Sequence, residues 1–151
     1  MTIEEQLQEL KKLYKESDHI FNNLASRLGM TNSMFWILYA ISHSEEPLTQ
    51  NDLCNDYFFP VQTVNSTVTN LLKKELIRLE FIPGTRNRKK IILTDKGKKF
   101  VDETINKTDE IEEKAFLMFT EEERDLYISL FQRHIAYLKN EEKRIIDSFS
   151  E

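Results

Sequence analysis

The chain has 151 residues, a length that predicts one domain and allows two small ones. Its 40% hydrophobic residues are enough to build a core, and its 3 Gly and 3 Pro favour long helices over a turn-rich β architecture. The glycines are too far apart for a nucleotide loop, and the single cysteine, Cys54, excludes a disulfide framework within the chain and a cysteine-rich zinc site. The sequence has no signal-peptide pattern and no membrane-length apolar run, so we expect a soluble, cytoplasmic protein.

The charge is divided unevenly along the chain. The formal net charge is -5, but residues 60–100 contain 10 basic and 3 acidic side chains. The preceding residues, 1–59, contain 4 basic and 9 acidic side chains, and residues 101–151 contain 7 basic and 14 acidic ones. A basic centre between two acidic ends favours a polyanionic partner for the centre. The alternative is a solvated basic face with no partner, because local charge clusters are common.

The first two predicted elements are helices. Residues 3–28 carry an apolar seam with steps of three and four, begin at a capping box on Thr2 and end before Gly29. Residues 32–44 are apolar nearly all round, which predicts a central helix.

A pair of shorter helices follows. Thr49 is expected to cap a helix over about 50–57. Pro60 is expected to open the next one, over about 60–74, where its missing N–H costs nothing. The apolar positions of this second helix predict a buried stripe of Val64, Val68, Leu71 and Leu72.

The rest of the chain predicts a hairpin and two more helices. Two β-leaning stretches, 77–82 and 91–93, flank a basic tip at 83–90. Helices are then expected over about 95–118 and about 121–148. The fold class is mainly α (α+β), with a small β-hairpin and long terminal helices.

The centre of the chain has the pattern of a winged helix-turn-helix. Two short helices form the helix-turn-helix, and the hairpin forms the wing. Short polar side chains on the second helix suit base edges in a major groove, and a basic tip suits phosphates or a narrow minor groove. The predicted DNA-contacting residues are Gln62, Thr63, Asn65, Ser66, Thr69, Asn70 and Lys73 on the helix, and Arg86, Arg88, Lys89 and Lys90 in the wing.

The chain resembles the multiple antibiotic resistance regulator (MarR) family of winged-helix transcription factors, most clearly over residues 31–97. Residues 48–53 (LTQNDL) resemble the first helix of the family's helix-turn-helix, and residues 60–77 resemble its recognition helix and exit. Residues 93–97 (LTDKG) match the LT-x-x-G that follows the family's wing. No single motif is diagnostic, but the set has the family's spacing.

The resemblance assigns roles to individual residues. Asn65 and Ser66 occupy the positions that usually read bases, Thr69 and Lys73 are expected to contact phosphates, and neighbouring contacts are expected from Gln62, Thr63 and Asn70. The partner that it implies is double-stranded DNA with a pseudo-palindromic operator.

Two residues depart from the family pattern. Glu75 stands where the family usually has glycine, so the chain must either adopt a left-handed conformation there or extend the helix by a turn. The wing has Thr85-Arg86-Asn87 where the family usually has Asp-x-Arg. The register therefore leaves open which wing arginine enters a groove.

The terminal helices have more apolar positions than a lone winged helix could cover. The resemblance implies that residues 1–30 and 98–151 form a homodimerisation region and that 31–97 form the DNA-binding region, within one intertwined domain. A helical bundle within one chain is the alternative.

The resemblance also implies a small aromatic or anionic effector, with Phe21, Phe35, Trp36 and Tyr39 as candidate pocket residues. Aromatic residues at helical spacing are more often plain core, however. The chain lacks a recognisable metal-ligand set and a catalytic constellation, so we expect no metal, no cofactor and no enzymatic activity.

The predicted function is that of a dimeric, sequence-specific DNA-binding transcription regulator, a repressor released by an effector. The alternatives are an activator without ligand-controlled repression and a winged-helix interaction module that no longer binds DNA.

Overall fold

The computed structural model describes residues 1–150, which divide into two compact units, one over residues 1–109 and one over residues 110–150. The functional division predicted from the sequence, with a dimerisation region and a DNA-binding region, stays a prediction. Within the described residues, the elements in chain order are α1 (Ile3–Arg27), α2 (Asn32–His43), α3 (Gln50–Asn55), α4 (Val61–Lys73), β1 (Ile77–Phe81), β2 (Lys89–Leu93), α5 (Asp95–Glu103), α6 (Ile105–Phe116) and α7 (Glu121–Phe149).

The core of the first unit is built around α2. Six of its twelve residues are buried, as its apolar sequence predicts. Side chains from α1, α3, α4, the hairpin, α5 and α6 complete this core. The largest fully buried side chains are Phe35, Ile37, Leu38, Leu53, Val64, Leu71, Ile91 and Ile105.

Threonine side chains begin five of the helices. In each case the hydroxyl accepts a hydrogen bond from a first-turn amide that has no partner inside the helix. The five caps are Thr2, Thr31, Thr49, Thr94 and Thr120.

The start of α4 differs from the prediction. Pro60 lies at the N-cap with φ -59° and ψ 142° and makes no side-chain cap hydrogen bond, so Val61 is the first helical residue. The extended ψ places Pro60 outside the helix, although its fixed φ would fit inside. Leu72, predicted to be buried, is 38% exposed, and Thr67 is buried in the same helix.

The second strand of the hairpin, Lys89–Leu93, is longer than the stretch 91–93 that the sequence predicts. Phe81 pairs with Lys89, and Glu80 pairs with Lys90. These two lysines therefore belong to β2 rather than to the tip. Antiparallel pairing, once begun at the base of the hairpin, extends through any residue with a free backbone N–H and C=O, so strand composition alone missed them.

The predicted helix over 95–118 is wrong in one respect: it is two helices, α5 and α6. Thr104 between them has φ -127° and ψ -76°, is buried, and donates its hydroxyl proton to the Phe100 carbonyl at 2.6 Å. A threonine that bonds back to the preceding turn competes with the helical hydrogen-bond pattern and bends it.

The long helices at the two ends of the chain leave apolar side chains in solvent. In the first unit, α1 buries only Ala25 and exposes Ile3, Leu7, Leu13, Tyr14 and Ile20. In the second unit, α7 has no buried residue.

At the start of α7, hydrogen bonds from the Glu122 backbone and the Thr120 hydroxyl hold the pKa of the exposed Glu122 carboxyl below its ordinary value. Among residues 1–150, no helix has both the length and the apolar character needed to cross a membrane.

Candidate nucleic-acid interface

The turn between α3 and α4 is fixed from both sides. Thr49 and Asp52 form a reciprocal capping box at the start of α3, and Leu53 is fully buried. The Phe59 amide donates to the Leu53 carbonyl at 3.2 Å, and the Phe59 side chain packs against the core. Phe58 has φ 61° and is 79% exposed, so its strained backbone places a large aromatic ring in solvent. This turn sets where α4 begins.

The predicted DNA-contacting residues of α4 lie together on its outer face. The buried positions Val64, Val68 and Leu71 define the inner face. Thr63 is half-buried at the edge, and the other predicted residues are exposed: Gln62, Asn65, Ser66, Thr69, Asn70 and Lys73. Sequence reasoning missed one exposed residue at the start of this face, Val61, because an apolar side chain in a helix carries no hydrogen-bonding signal.

The polar groups on this face divide into two chemical kinds. The Ser66 hydroxyl donates to the Thr63 carbonyl at 3.2 Å, and the Thr69 hydroxyl donates to the Asn65 carbonyl at 2.8 Å. Since a hydroxyl has one proton, these two groups present acceptor lone pairs outward. Within the described residues, the side-chain amides of Gln62, Asn65 and Asn70 make no intramolecular hydrogen bond. They are free to donate and to accept.

At the end of α4, the sequence allows either a left-handed Glu75 or an extra helical turn, and the structure has the left-handed residue. Glu75 has φ 59°, the left-handed conformation, and the helix stops at Lys73 instead of extending. The Glu75 amide donates to the Leu72 carbonyl and the Leu76 amide donates to the Leu71 carbonyl, both at 3.0 Å. This is the Schellman arrangement, in which glycine is preferred at the position that Glu75 occupies.

The segment after the hairpin holds this exit in place. The Thr94 amide donates to the Leu76 carbonyl at 3.1 Å, and the Thr94 hydroxyl donates to the Glu75 carbonyl at 2.6 Å. The same hydroxyl oxygen accepts from the Gly97 amide at 3.0 Å and thereby caps α5. The LT-x-x-G segment therefore joins three elements: α4, the hairpin and α5.

The hairpin is also tied to the start of the helix-turn-helix. The Ile91 amide, in the middle of β2, donates to the Leu48 carbonyl just before α3, at 2.8 Å. At the far end, the Ile82 amide donates to the Arg88 carbonyl at 2.9 Å, and the Thr85 hydroxyl donates to the Ile82 carbonyl at 2.7 Å. The Thr85 hydroxyl therefore stabilises the backbone of the hairpin tip.

Some basic side chains of this region have a carboxylate partner, and others do not. Arg78 pairs with Glu80 at 2.6 Å, and Lys96 lies 3.8 Å from Glu75. In the wing, Lys89 lies over the Phe81 ring with its Nζ atom 4.8 Å from the centroid. Among residues 1–150, no carboxylate pairs with the remaining predicted cations, which are Lys73, Arg86, Arg88 and Lys90.

Two clefts open beside these residues. One, of about 360 Å³, joins the wing to the first turn of α3 and adds Gln50 and Asn51 to the predicted set; its lining is completed by Thr49, Leu79, Asn87, Arg88 and Lys89. The other, of about 330 Å³, lies between the start of α2 and α4 and is lined by Thr31, Ser33, Met34, Thr63, Ser66, Thr67 and Asn70. Gln50 and Asn51 are polar residues of the first turn of α3, and no periodic pattern in the sequence signals them.

The four predicted effector-pocket residues are brought together as one aromatic cluster. The Trp36 ring centroid lies 5.1 Å from those of Phe21 and Phe35 and 5.7 Å from that of Tyr39. Phe35 is 1% exposed and belongs to the core, whereas the other three are partly buried against it. That this cluster binds an effector stays a prediction.

His43 extends the aromatic cluster, and no pattern in the sequence predicts this contact. His43 stacks on Tyr39 with 4.2 Å between ring centroids, and its Nε2 atom lies 2.8 Å from an Asp109 carboxylate oxygen. Among the described residues, no group of three or more histidine, cysteine or acidic side chains is arranged to hold a metal ion.

A family model of the MarR family matches residues 28–86, which contain α2, α3, α4, β1 and part of the hairpin tip. This segment is therefore similar to the winged helix of the MarR family. The likeness of fold to solved structures extends over nearly the whole chain. Members of this family are transcription regulators.

Solved structures of transcription regulators resemble this chain. Staphylococcus aureus MepR in its DNA-binding conformation has 25% identity and a TM-score of 0.75, over 88% of this chain and 98% of MepR. A MepR–DNA complex has 25% identity and a TM-score of 0.71, over 87% of this chain and 96% of that one.

NMB1585, a MarR-family regulator from Neisseria meningitidis, has 23% identity and a TM-score of 0.76, over 95% of this chain and 98% of that one. None of the curated proteins matches this sequence significantly.

Proposed function

We propose that the chain is a homodimeric, sequence-specific DNA-binding repressor that a small aromatic or anionic molecule releases from its operator. One observation carries the DNA-binding part. The outer face of α4 presents free amides and hydroxyl acceptors beside Lys73, Arg86, Arg88 and Lys90, which have no carboxylate partner among residues 1–150. Base edges require such donors and acceptors, and phosphates require such cations. The relation to MepR, which has been solved with DNA, agrees with this proposal.

The roles follow from these groups. The α4 face, led by Asn65 and Ser66, reads base edges in the major groove, because asparagine can bond adenine bidentately. Arg86 and Arg88 at the wing tip bind phosphates or the minor groove. The Thr69 hydroxyl proton is directed to a backbone carbonyl, so Thr69 must rotate its hydroxyl before it can donate to a phosphate.

The test of DNA binding is fluorescence anisotropy with the promoter region of the chain's own gene and with an unrelated duplex of equal length. We expect tighter binding to the promoter, and a steep loss of affinity between about 50 and 200 mM salt. Equal affinity for the two duplexes would reject sequence specificity. No binding at low salt would reject the regulator and favour the interaction module.

The exposed apolar side chains of the long helices support the homodimer. On α1, Ile3 is 71% and Ile20 is 53% exposed, and on α7, Leu126 is 58% and Phe149 is 84% exposed. Apolar faces of this extent mark association surfaces, and a second copy of the same chain is the partner expected for a palindromic operator. Light scattering coupled to size exclusion is expected to give twice the mass of 18.0 kDa. A monomeric mass at micromolar concentration would reject the dimer.

Repression and effector release are tested in a transcription assay on the same promoter. The protein is expected to lower transcript yield, and a panel of phenolic carboxylates is expected to restore it. A rise in transcript yield on adding protein would identify an activator. Repression that no compound reverses would contradict release by this class of effector.

A further inference from the structure

One side chain on the outer face of α4 does not match its surroundings. Val61, the first residue of the helix, is 63% exposed. Asn65 follows it at i+4, so both lie on the same side of the helix, one turn apart. The other exposed residues of the first two turns, Gln62 and Ser66, are polar. An isopropyl group therefore stands at the end of a row of hydrogen-bonding groups.

The position of Val61 is informative because the N-terminal residues of a recognition helix are those that contact base edges. The core does not use this side chain, since α4 packs inward through Val64, Val68 and Leu71. Pro60, which precedes it, makes no side-chain hydrogen bond over this end of the helix. A single exposed valine elsewhere on a surface would need no explanation.

In a major groove, the base-edge group suited to an apolar side chain is the 5-methyl group of thymine. We propose that Val61 contacts a thymine methyl group in the operator and thereby specifies an A·T pair next to the pair read by Asn65. This inference rests on the proposed function, because it assumes that α4 enters a major groove. It adds a specificity-determining residue of apolar chemistry to a face otherwise read through hydrogen bonds.

A second apolar group lies close by in the sequence and offers a competing assignment. Phe58 is 79% exposed in the turn before α4. It lies outside the helix, and its left-handed backbone, with φ 61°, sets its position independently of the helical face. Val61 shares the helical register of Asn65, and this shared register favours Val61 as the contact to a neighbouring base.

The experiment first obtains a binding site by selecting the dimeric, full-length protein against a pool of random duplexes. Each thymine of the selected duplex is then replaced in turn by deoxyuridine, which pairs identically but lacks the methyl group. We expect one position in each half-site to lose affinity by about fourfold, the factor that corresponds to ~0.8 kcal/mol for one buried carbon group.

Val61→Ala then tests the assignment in a double-mutant cycle between protein and DNA. The variant is expected to bind the thymine and the deoxyuridine duplex equally at that position. Leu72→Ala, which truncates the exposed apolar residue at the other end of α4, is the matched control and is expected to keep the fourfold preference. Phe58→Ala is likewise expected to keep it. Val61 and Phe58 are mostly exposed, so their variants are expected to melt near the temperature of the parent protein, whereas Leu72 is only 38% exposed and its variant is expected to melt somewhat lower.

The possible outcomes separate the inference from the proposed function. If selection enriches no sequence, both are overturned. If a sequence is selected but no deoxyuridine replacement lowers affinity, the thymine contact is overturned and DNA recognition stands. If the preference for thymine survives in Val61→Ala, or is lost in Phe58→Ala alone, the assignment to Val61 is overturned.

Discussion

Gly97 lies directly against the backbone carbonyl of Leu76. A Cβ atom at position 97 would lie 1.9 Å from the Leu76 oxygen and 2.9 Å from its carbonyl carbon. The neighbouring atoms are backbone, so they cannot rotate away as the end of a side chain would. Because Leu76 follows the exit of α4 and Gly97 lies in the first turn of α5, this contact lets the two helix ends approach more closely than any other residue would permit.

Gly97→Ala is therefore expected to destabilise the protein by roughly 3 kcal/mol, at the upper end of the usual cost of overpacking, although alanine is the better helix former. Gly84→Ala is the matched control. Its added Cβ atom meets nothing within 4 Å, but its φ of +81° is unfavourable for alanine, so its cost is about 1 kcal/mol. Urea unfolding measures both values. Equal stability of the two variants would contradict the role given to the Leu76 contact.

Glu75→Gly is expected to stabilise the protein by about 1 kcal/mol, since glycine adopts the left-handed conformation without the cost that a Cβ atom imposes. Glu75→Gln is the control, because it removes the charge and the 3.8 Å contact with Lys96 but keeps the Cβ atom. Its stability should stay close to that of the parent, as the ion pair is exposed. A gain with glutamine equal to that with glycine would assign the effect to charge instead of backbone strain.

Arg86→Ala and Arg88→Ala are expected to weaken binding to specific and unrelated duplexes alike. For each phosphate that the protein no longer binds, the slope of log affinity against log salt should fall by about 1. Arg78→Ala serves as the control, because Arg78 already pairs with Glu80 at 2.6 Å. Anisotropy titrations at several salt concentrations give the slopes. Three identical slopes would show that the wing tip does not contact phosphate.

Asn65→Ala is expected to lower affinity for the selected operator by about 1–3 kcal/mol and to relax the preference at one base pair. Affinity for unrelated DNA should change little, because Asn65 carries no charge. Asn140→Ala, at an exposed position of α7, is the matched control and should change neither affinity. If Asn65→Ala keeps both the operator affinity and the base preference, Asn65 is not a base-reading residue.

Trp36 is the only tryptophan of the chain and lies within the aromatic cluster, 5.1 Å from two neighbouring rings. An aromatic effector bound in this cluster is expected to quench Trp36 fluorescence in a saturable manner. Tyr39→Leu removes one ring beside Trp36 and is expected to weaken binding. A compound that releases DNA without altering Trp36 fluorescence would place the effector site elsewhere.

The order of the helices and the hairpin could be predicted because each helix is signalled locally. Thr31, Thr49 and Thr120 each stand before an apolar pattern of helical period, and the structure places a cap at each. The solvent-exposed side of α4 was predictable for the same reason. The pattern that buries Val64 and Leu71 determines which residues remain outside.

The features that were missed depend on contacts between distant residues or on alternatives of similar energy. Thr104 interrupts a helix because its side chain is buried and bonds to the Phe100 carbonyl, neither of which has a periodic signature. Lys89 joins a strand because Phe81 pairs with it. At Glu75 the sequence allowed two outcomes, and the bonds from Thr94 and the close approach of Gly97 favour the left-handed one.

The hydrogen bond from the Ile91 amide to the Leu48 carbonyl joins main-chain atoms only. No side chain makes it, so substitutions on the outer face of α4 or at the wing tip leave it intact. The position of the wing relative to the helix-turn-helix therefore does not depend on which side chains occupy the surface proposed to read DNA. If the proposed function holds, point mutations at this surface can change the operator while the backbone frame that positions the surface is inherited unchanged.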